Sequence, residues 1–485
     1  MAFTNIKYLI FLPLVFFIFL AVSDRYRHFV LLIGSYVFYG FLFKPMLLIV
    51  LGVVTLITYY FGNIINKSQD KAVRYTYLWL AVAVNLVILI YFKYLPFIVQ
   101  NFNLLLNQVS SSLVLQIPPN QASIALSFFI FQSISYLADI YFRMAEPESN
   151  LGYFALYVSF FPKLLQGPIE RSNMLLPQLK KPYEFNYDNM RSGILLFGWG
   201  LFKKMVIADR LALYVNTVYG DVHSYSGLPL ILTTYAFALQ IFFDFAGYTD
   251  MARGTARMFG INLTENFNCP YQSTSIADFW RRWHISFSKW ILDYIFEPLQ
   301  MKFRNWGRTG IAASLLVTFL AAGIWHGASW NYVVFGLLHG IYLATSIYYK
   351  PYQKKLYKWL RIGKSYWLKG WQIFITFNLV CFAIIFFRGE NIGDSIYIVQ
   401  NLLKNWGALS YFDRLFNVAA SAEEFVATIL LSVMIIAFEP AIIKFNENHI
   451  WLKTAKIRWA YYYLMIFGIV IFGISAPSQF IYFKF

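Results

Sequence analysis

Long apolar runs alternate with short polar segments along the whole chain. A helix that spans a bilayer needs about 20 predominantly apolar residues, and shorter runs span only with tilt or local thinning of the membrane. The predicted spans are 8–22, 29–42, 46–61, 77–99, 123–142, 192–207, 228–248, 311–324, 331–349, 371–387, 425–443 and 459–476. The pattern therefore predicts an all-α polytopic membrane protein with about 11–12 transmembrane helices.

Two further apolar stretches, 151–167 and 285–299, do not fit as spans. The first is bracketed by charged residues and broken by two proline-containing steps, and the second carries Lys289, Asp293 and Glu297. Irregular backbone persists at membrane depth only where protein or a water-filled cavity surrounds it. We therefore expect both stretches to be re-entrant or interfacial helices around a central tunnel.

Lys and Arg are concentrated in the polar segments 63–74, 350–369 and 451–458, and are absent from 101–121 and 216–227. Short cytoplasmic loops of membrane proteins carry the excess of Lys and Arg, so the first three segments are predicted inside and the other two outside. Successive spans cross the membrane in opposite directions, so these segments predict that both termini lie outside.

The chain shows no internal repeat, low-complexity segment or domain boundary. We therefore predict a single membrane domain over 1–485, with its core motifs at 241–331 and a small external cap at 389–424. We expect the protein to contact membrane lipid along most of its helices.

Composition supports the membrane assignment and excludes several other classes. The 485 residues are 59% hydrophobic and only 13% charged, whereas soluble domains average about 25% charged. The net charge of +17 resides mainly in the orienting segments, so no nucleic-acid partner is expected. Cys269 and Cys381 give neither a disulfide framework nor a metal or redox motif, and no metal site is predicted.

Carboxylates, arginines and two histidines interrupt the apolar pattern between Ile241 and Ser329. Ionisable groups at hydrophobic depth are costly and are functional candidates for that reason. His326 lies between glycines where one predicted helix ends and another begins, and His284 follows two arginines. An imidazole near its ordinary pKa of about 6.5 is suited to take a proton at neutral pH.

The residues alone leave open whether His284 and His326 are catalytic or are core histidines with satisfied partners. His339 is expected to be a hydrogen-bonded structural histidine. His28, His223 and His449 follow polar patterns and are expected at the surface. Serine hydrolase, P-loop and dinucleotide-binding motifs are all missing from the sequence, so those chemistries are not supported.

Asp244 and Asp250 lie at the predicted cytoplasmic end of a long apolar helix. Buried carboxylates need partners, and four arginines are the expected ones: Arg253, Arg257, Arg281 and Arg282. Two interpretations stay open, an ion-pair network that ties the re-entrant region to the bundle and a polar floor for a charged donor. Arg281 and Arg282 have the bidentate geometry that suits phosphates.

Four motifs carry a resemblance to a known family. They are Phe-Asp-Phe-Ala-Gly-Tyr-Thr-Asp at 243–250, Asn-Phe-Asn at 266–268, Phe-Trp-Arg-Arg-Trp-His-Ile-Ser at 279–286 and Trp-His-Gly-Ala-Ser-Trp-Asn at 325–331, with further matching pieces at 127–139 and 161–169. The chain resembles the membrane-bound O-acyltransferase (MBOAT) family, and most closely the bacterial branch that holds the alginate O-acetyltransferase membrane subunit.

The resemblance implies a ring of membrane helices in a bacterial cytoplasmic (inner) membrane, with a tunnel that joins the two faces. It also implies that His326 is the catalytic residue and that His284 is the second important polar residue. The supporting or donor-side residues expected around them are Asp244, Tyr248, Asp250, Arg281, Arg282 and Trp325. Where alginate relatives carry Pro-Leu-Gly-Gly-Asn, this chain has Pro-Leu-Gln-Met-Lys at 298–302, so the acceptor polymer is left open.

The function implied is transfer of an acyl group, expected to be acetyl, from a cytoplasmic thioester such as acetyl-CoA to hydroxyls of a cell-surface polysaccharide or peptidoglycan. The thioester is a substrate, and no permanently bound cofactor is expected. A periplasmic or extracellular SGNH-type acyltransferase is the expected partner. Two alternatives are a lipid or protein acceptor, and a transporter or flippase without chemistry, since buried charges and broken helices occur in both classes.

Overall fold

The computed structural model describes residues 3–41, 45–109, 114–119, 125–363, 365–404, 421–448 and 454–474. Within these ranges the chain is helical and contains no β-strand, and the single isolated β-bridge joins Phe267 and Trp283. Eight helices of this described part are long and apolar enough to cross a membrane. The predicted all-α polytopic membrane class is therefore confirmed.

The chain forms two compact units. The first comprises Met1–Phe197 and Tyr248–Thr264. Its helices are α1 (Ile6–Ala21), α2 (Asp24–Gly40), α3 (Pro45–Lys67), α4 (Lys71–Leu89), α5 (Leu95–Val109), α6 (Leu126–Tyr141), α7 (Leu151–Ser159), α8 (Phe161–Leu164), α9 (Ser172–Lys180) and most of α10 (Tyr187–Phe202). A π-helical turn, Ile90–Tyr94, joins α4 to α5.

The second unit comprises Gly198–Gly247 and Glu265–Lys484. Its helices are α11 (Asp209–Gly220), most of α12 (Leu228–Met258), α13 (Ile276–Arg282), α14 (Ile285–Ile291), α15 (Glu297–Lys302), α16 (Gly307–His326), α17 (Trp330–Trp359), α18 (Tyr366–Arg388), α19 (Ile392–Asn401), α20 (Ala422–Asn448) and α21 (Ala455–Phe472). This unit also contains two π-helical turns. Lys203–Ala208 joins α10 to α11, and Leu292–Phe296 joins α14 to α15.

Eight of the predicted spans coincide with helices of spanning length, and two more, at α1 and α6, are shorter apolar helices. The span predicted at 29–42 begins earlier, at Asp24, because Ser23 has an extended backbone and Asp24 favours the first turn of a helix. The span predicted at 192–207 is α10 followed by a π-helical turn. Both helices have a charged residue in the first turn, Asp24 in α2 and Asp188 in α10. The pattern of apolar positions does not reveal such a start.

The two stretches predicted not to span are indeed broken into short helices. The first is divided into α7, of 9 residues, and α8, of 4 residues, with proline near the start of α8. The second consists of α14, a π-helical turn and α15. Their depth in the membrane and the central tunnel remain predictions, as do the orientation of the termini and the single domain over 1–485. Of the predicted cap at 389–424, residues 405–420 lie outside the described residues.

Helices α16 and α17 pack at very short range through glycines. A Cβ atom added to Gly323 would lie 2.3 Å from the Tyr332 carbonyl oxygen, and one added to Gly336 would lie 2.4 Å from the Phe319 carbonyl oxygen. Real Cβ atoms do not approach backbone this closely, so only glycine permits the contact. This packing fixes the hairpin that holds His326 at the end of α16.

The variant Gly336→Ala is expected to lower the free energy of unfolding by about 1–3 kcal/mol, because the added methyl group forces the two helices apart. The matched control is Gly370→Ala in α18, where no atom lies within 4 Å of the added Cβ. That control should be neutral or slightly stabilising, since alanine favours helix over glycine. Thermal unfolding in detergent, followed by tryptophan fluorescence, separates the two; equal melting temperatures would contradict the packing argument.

Candidate active site

His284 occupies a strained turn between two short helices. α13 ends at Arg282 and α14 begins at Ile285, and His284 between them has φ 45° and ψ 55°, in the left-handed region. The turn is held by Asn266, whose carbonyl accepts from the Ile285 N–H at 3.0 Å and whose Oδ1 accepts from the Ser286 N–H at 3.1 Å. Such a conformation costs about 1–3 kcal/mol for a residue other than glycine and persists mainly where function requires it.

Aromatic rings enclose the His284 side chain. Its ring centroid lies 4.7 Å from that of Phe245 and 5.1 Å from that of Phe287, and the side chain is buried. Burial lowers the pKa of His284 to about 3, because the charged imidazolium is poorly solvated there. The neutral imidazole is therefore favoured at physiological pH, and in that form it can donate one hydrogen bond and accept another.

His326 is the last residue of α16 and is also buried among aromatic rings. Its ring centroid lies 5.1 Å from that of Phe387 and 5.6 Å from that of Phe335. The chain then turns sharply, and Ser329 caps α17 by accepting a hydrogen bond from the Asn331 N–H at 3.3 Å. The Trp-His-Gly-Ala-Ser motif thus encodes a helix end, a turn and a helix start.

The structure brings the two predicted histidines into one aromatic neighbourhood. Phe287 lies 5.1 Å from His284 and 5.7 Å from His326, measured between ring centroids. Trp325, also predicted for the site, lies 6.2 Å from His284 and 5.0 Å from His326. Phe287 and Trp325 stack on each other at 4.3 Å. Two motifs that are distant in sequence therefore come together in a single site with largely aromatic walls.

A small cavity of about 20 Å³ lies beside His326. Its lining is mainly aromatic and aliphatic and consists of His326 and His339 together with Ile241, Tyr271, Phe279, Trp280, Trp283, Phe335, Val380, Ile384 and Phe387. A volume of this size holds about one water molecule or one small chemical group. Both imidazoles therefore face a compact, largely apolar space.

His339 is hydrogen-bonded, as the sequence predicted. The Trp280 Nε1–H donates to His339 Nδ1 at 3.2 Å, and both side chains are buried. Sequence reasoning missed that His339 also lines the cavity of His326. The spacing of 13 residues between the two histidines carries no signal for this contact, because the glycine-packed hairpin of α16 and α17 creates it.

Asp244 pairs with a lysine that the sequence analysis did not name as a partner. Asp244 forms an ion pair with Lys204 at 2.7 Å, and Lys204 also pairs with Asp209 at 2.8 Å. All three side chains are buried. Lys204 lies on the π-helical turn Lys203–Ala208, whose extra residue shifts the phase of the side chains. Regular helical periodicity therefore could not place the lysine against α12.

Asp250 and Tyr248 belong to the first unit. Asp250 lies 3.6 Å from Arg253, one of the four arginines predicted as partners. Tyr248 is buried, and its ring stacks on Phe3 with 4.6 Å between centroids. The predicted donor-side roles of both residues remain proposals.

The two adjacent arginines of α13 differ in their surroundings. Arg282 Nε donates to the Asp278 carboxylate at 2.9 Å, one helical turn earlier. Arg281 is exposed, and Lys350 lies close enough to feel the positive charges of both Arg281 and Lys354. A group of cations on an exposed surface favours a polyanionic ligand.

The first unit buries an ionic group that sequence reasoning did not single out. Lys163 Nζ donates to Gln132 Oε1, and Glu170 accepts hydrogen bonds from the Thr264 N–H at 2.6 Å and from its hydroxyl at 3.1 Å. Burial lowers the pKa of Lys163 to about 7 and raises that of Glu170. The Phe-Pro-Lys and Gly-Pro-Ile-Glu pieces within 161–170 supply these side chains, and they link this segment to α6 and to the residues after α12.

A larger cavity of about 580 Å³ also lies in the first unit, between the ends of α1 and α9 and the residues after α12. His28 lines it, is buried, and stacks on Tyr153 at 4.4 Å, so its predicted surface position is wrong. The reason is that α2 begins at Asp24, inside the polar segment, so His28 lies on a buried part of a helix. His223 is exposed, as predicted, and His449 lies outside the described residues.

Comparison with known proteins identifies the family of this chain. The sequence pattern of the family described as MBOAT, membrane-bound O-acyltransferase, matches residues 146–386. A peptidoglycan O-acetyltransferase of Helicobacter pylori is 30% identical over 94% of this chain and 91% of its own length. A probable alginate O-acetylase AlgI of Pseudomonas aeruginosa is 35% identical over 80% of this chain and 72% of its own.

A more distant relative is a teichoic acid D-alanyltransferase of Bacillus subtilis, which is 30% identical over 56% of this chain and 71% of its own length. The names of all three relatives describe acyl transfer. The match with the first extends over nearly the whole of both proteins. The chain therefore belongs to the membrane-bound O-acyltransferase family and is a multi-pass membrane acyltransferase.

Proposed function

We propose that this protein transfers a small acyl group, acetyl in the first instance, from a cytoplasmic thioester to hydroxyl groups of a cell-envelope glycan. The relatives support this substrate class, since their names specify peptidoglycan, alginate and teichoic acid as the polymers modified. The observation that carries the proposal is the burial of His326 beside a small aromatic cavity, in the same neighbourhood as neutral His284.

His326 is proposed as the general base. Its imidazole takes the proton of the acceptor hydroxyl, which belongs to the glycan or to a partner protein that passes the acyl group on, while the hydroxyl oxygen attacks the carbonyl carbon of the thioester. The new carbon–oxygen bond forms, the carbon–sulfur bond breaks, and the proton passes from His326 to the leaving thiolate. Two reactants aligned in a dry site gain from orientation and from strengthened electrostatic interactions.

His284 is proposed to act as a neutral hydrogen-bonding residue that keeps the reactants oriented. Its left-handed backbone and its contact with Phe287 support this role, because both fix the imidazole relative to His326. A charged His284 would be poorly solvated in this setting, and burial keeps the pKa of His284 far below neutrality.

The donor is proposed to bind at exposed Arg281 and neighbouring Lys350, which is itself close to Lys354. Phosphate groups such as those of coenzyme A suit this cluster of cations. Asp244 is proposed to support the site through Lys204 rather than by contacting the donor, since its carboxylate pairs with that lysine. A separate acyltransferase on the outer side, as the family resemblance implies, is proposed to deliver the acyl group to the polymer.

Membrane vesicles of opposite orientation test the direction of transfer. Radiolabelled acetyl-CoA is supplied to inside-out and right-side-out vesicles that contain the protein and a glycan acceptor. We expect incorporation of label only with inside-out vesicles, where the cytoplasmic face is exposed to the donor. Incorporation only with right-side-out vesicles would reverse the proposed direction, and label retained in neither glycan nor protein would favour a transporter.

The variant Phe387→Ala is expected to shift acyl selectivity toward longer chains. Phe387 lines the cavity and contacts His326, so its truncation makes room for additional methylene groups. The ratio of butyryl to acetyl transfer should rise about four-fold for each methylene accommodated, since burial of one is worth about 0.8 kcal/mol. Phe382→Ala, an exposed aromatic on the same helix, is the control. An equal ratio in both variants would show that the cavity does not hold the acyl group.

A further inference from the structure

A structural role accounts for only one of the two ring nitrogens of His339. The residue lies in α17, is 1% exposed, and lines the same cavity as His326. The ring centroid of Phe335 lies 4.8 Å from that of His339 and 5.6 Å from that of His326. The two imidazoles are therefore separated by one aromatic residue and share one small space.

The contact with Trp280 fixes the tautomer of His339. An indole nitrogen can only donate a hydrogen bond, so His339 Nδ1, at 3.2 Å from Trp280 Nε1, must be the acceptor. A protonated imidazolium would carry hydrogen on both nitrogens and could not accept there. The ring is therefore neutral, and its proton is on Nε2.

His339 Nε2 is buried and has no hydrogen-bond partner among the residues that the structure describes. Burial of an N–H without an acceptor costs free energy, and native proteins seldom keep such a group without a reason. The other polar groups of the cavity wall include Trp280, which is committed to His339, and Tyr271, whose hydroxyl donates to the Ala238 carbonyl. The Nε2–H thus remains available for an oxygen atom that enters the cavity.

We propose that His339 is a further catalytic residue, whose Nε2–H donates a hydrogen bond to the carbonyl oxygen of the acyl group undergoing transfer. This inference rests on the proposed acyl-transfer function. As the hydroxyl oxygen attacks, the carbonyl oxygen gains negative charge, and a fixed donor in a dry cavity stabilises that charge. His339 gives up no proton in this step, since the hydroxyl proton passes to His326 and then to the leaving thiolate.

Two substitutions of His339 separate this role from a structural one. The side chain of Gln places an amide N–H near the position of imidazole Nε2 but offers nothing at Nδ1. The side chain of Asn places an oxygen near Nδ1, where it can accept from Trp280, but offers nothing at Nε2. The donor role predicts that His339→Gln is the more active variant, whereas a structural role through Trp280 predicts that His339→Asn is.

The test measures kcat and KM for acetyl transfer by the purified full chain in lipid nanodiscs, together with melting temperature. We expect His339→Asn to lower kcat by about 10²–10³-fold with little change in KM for the donor, the loss typical of removing one oxyanion donor. His339→Gln should stay within about 10-fold of the wild type. Trp280→Phe removes the hydrogen bond that fixes the tautomer of His339 but keeps an aromatic ring. This variant should give an intermediate loss of kcat.

The reverse order of the two His339 variants, or equal losses that follow melting temperature, would overturn the inference. The wild type and His326→Ala are run in the same assay. If the wild type transfers no acyl group, the proposed function itself fails. If the wild type is active, His326→Ala is inactive and His339→Asn matches the wild type, only the role of His339 fails.

Discussion

The variant His326→Ala is expected to lose acyl transfer by about 10²–10⁴-fold, the contribution typical of a positioned general base. The acceptor hydroxyl then has no group to take its proton, and the remaining rings of the site cannot replace one. His326 is the terminal residue of α16 and contacts aromatic rings on several sides. Truncation removes one imidazole from this cluster and leaves the rest of the packing in place, so the variant should still fold.

The measurement is the initial rate of acetyl transfer at saturating donor, with melting temperature recorded on the same preparation. The matched control is His223→Ala, which removes an exposed histidine whose Nε2 lies 3.3 Å from Asp394. That control should transfer acyl groups at the wild-type rate. An active His326→Ala variant, with a rate within a few-fold of the wild type, would exclude His326 as the base.

The variant Lys204→Met is expected to lower the free energy of unfolding by about 3–5 kcal/mol, the largest stability effect we expect in the chain. Lys204 neutralises two buried carboxylates, Asp209 at 2.8 Å and Asp244 at 2.7 Å. Methionine has a similar length but no charge, so both carboxylates would remain in a poorly solvating environment with their main counter-charge removed. The melting temperature in detergent should fall sharply, and acyl transfer should fall with the folded fraction.

Two companion variants make the Lys204 prediction specific. Lys302→Met removes an exposed lysine at the end of α15 and should leave the melting temperature unchanged. The triple variant Lys204→Met, Asp209→Asn, Asp244→Asn should recover much of the lost stability, because neutral amides need no counter-charge. A Lys204→Met protein that melts with the wild type would show that the ion-pair group does not stabilise the second unit.

The helical class was predictable because the requirement to satisfy backbone groups in lipid leaves few structures for long apolar runs. Eight of these runs form helices of spanning length. Helix starts were less predictable, since α2 begins at Asp24 and α10 at Tyr187, within polar sequence. The π-helical turn that carries Lys204 was not predictable from a regular helical period. This turn is the reason that the sequence did not reveal the ion pair between Lys204 and Asp244.

The two principal site residues were also identifiable in advance, from polar motifs in apolar surroundings and from the family resemblance. Their contact through Phe287 and Trp325 depends on the left-handed turn at His284, which no local pattern encodes. The position of His339 beside the same cavity depends on close packing of α16 and α17 through glycines. Long-range packing of this kind determines which residues meet, and a single sequence does not specify it.

The central claim is that the protein places acyl esters on a cell-envelope glycan through His326. The most direct test is mass spectrometry and NMR of envelope polysaccharide and peptidoglycan from a deletion strain complemented with the wild type or with His326→Ala. We expect an O-acyl ester to disappear in the deletion and to return only with the wild type. Glycan esters that are unchanged in the deletion, or restored in full by His326→Ala, would contradict the claim.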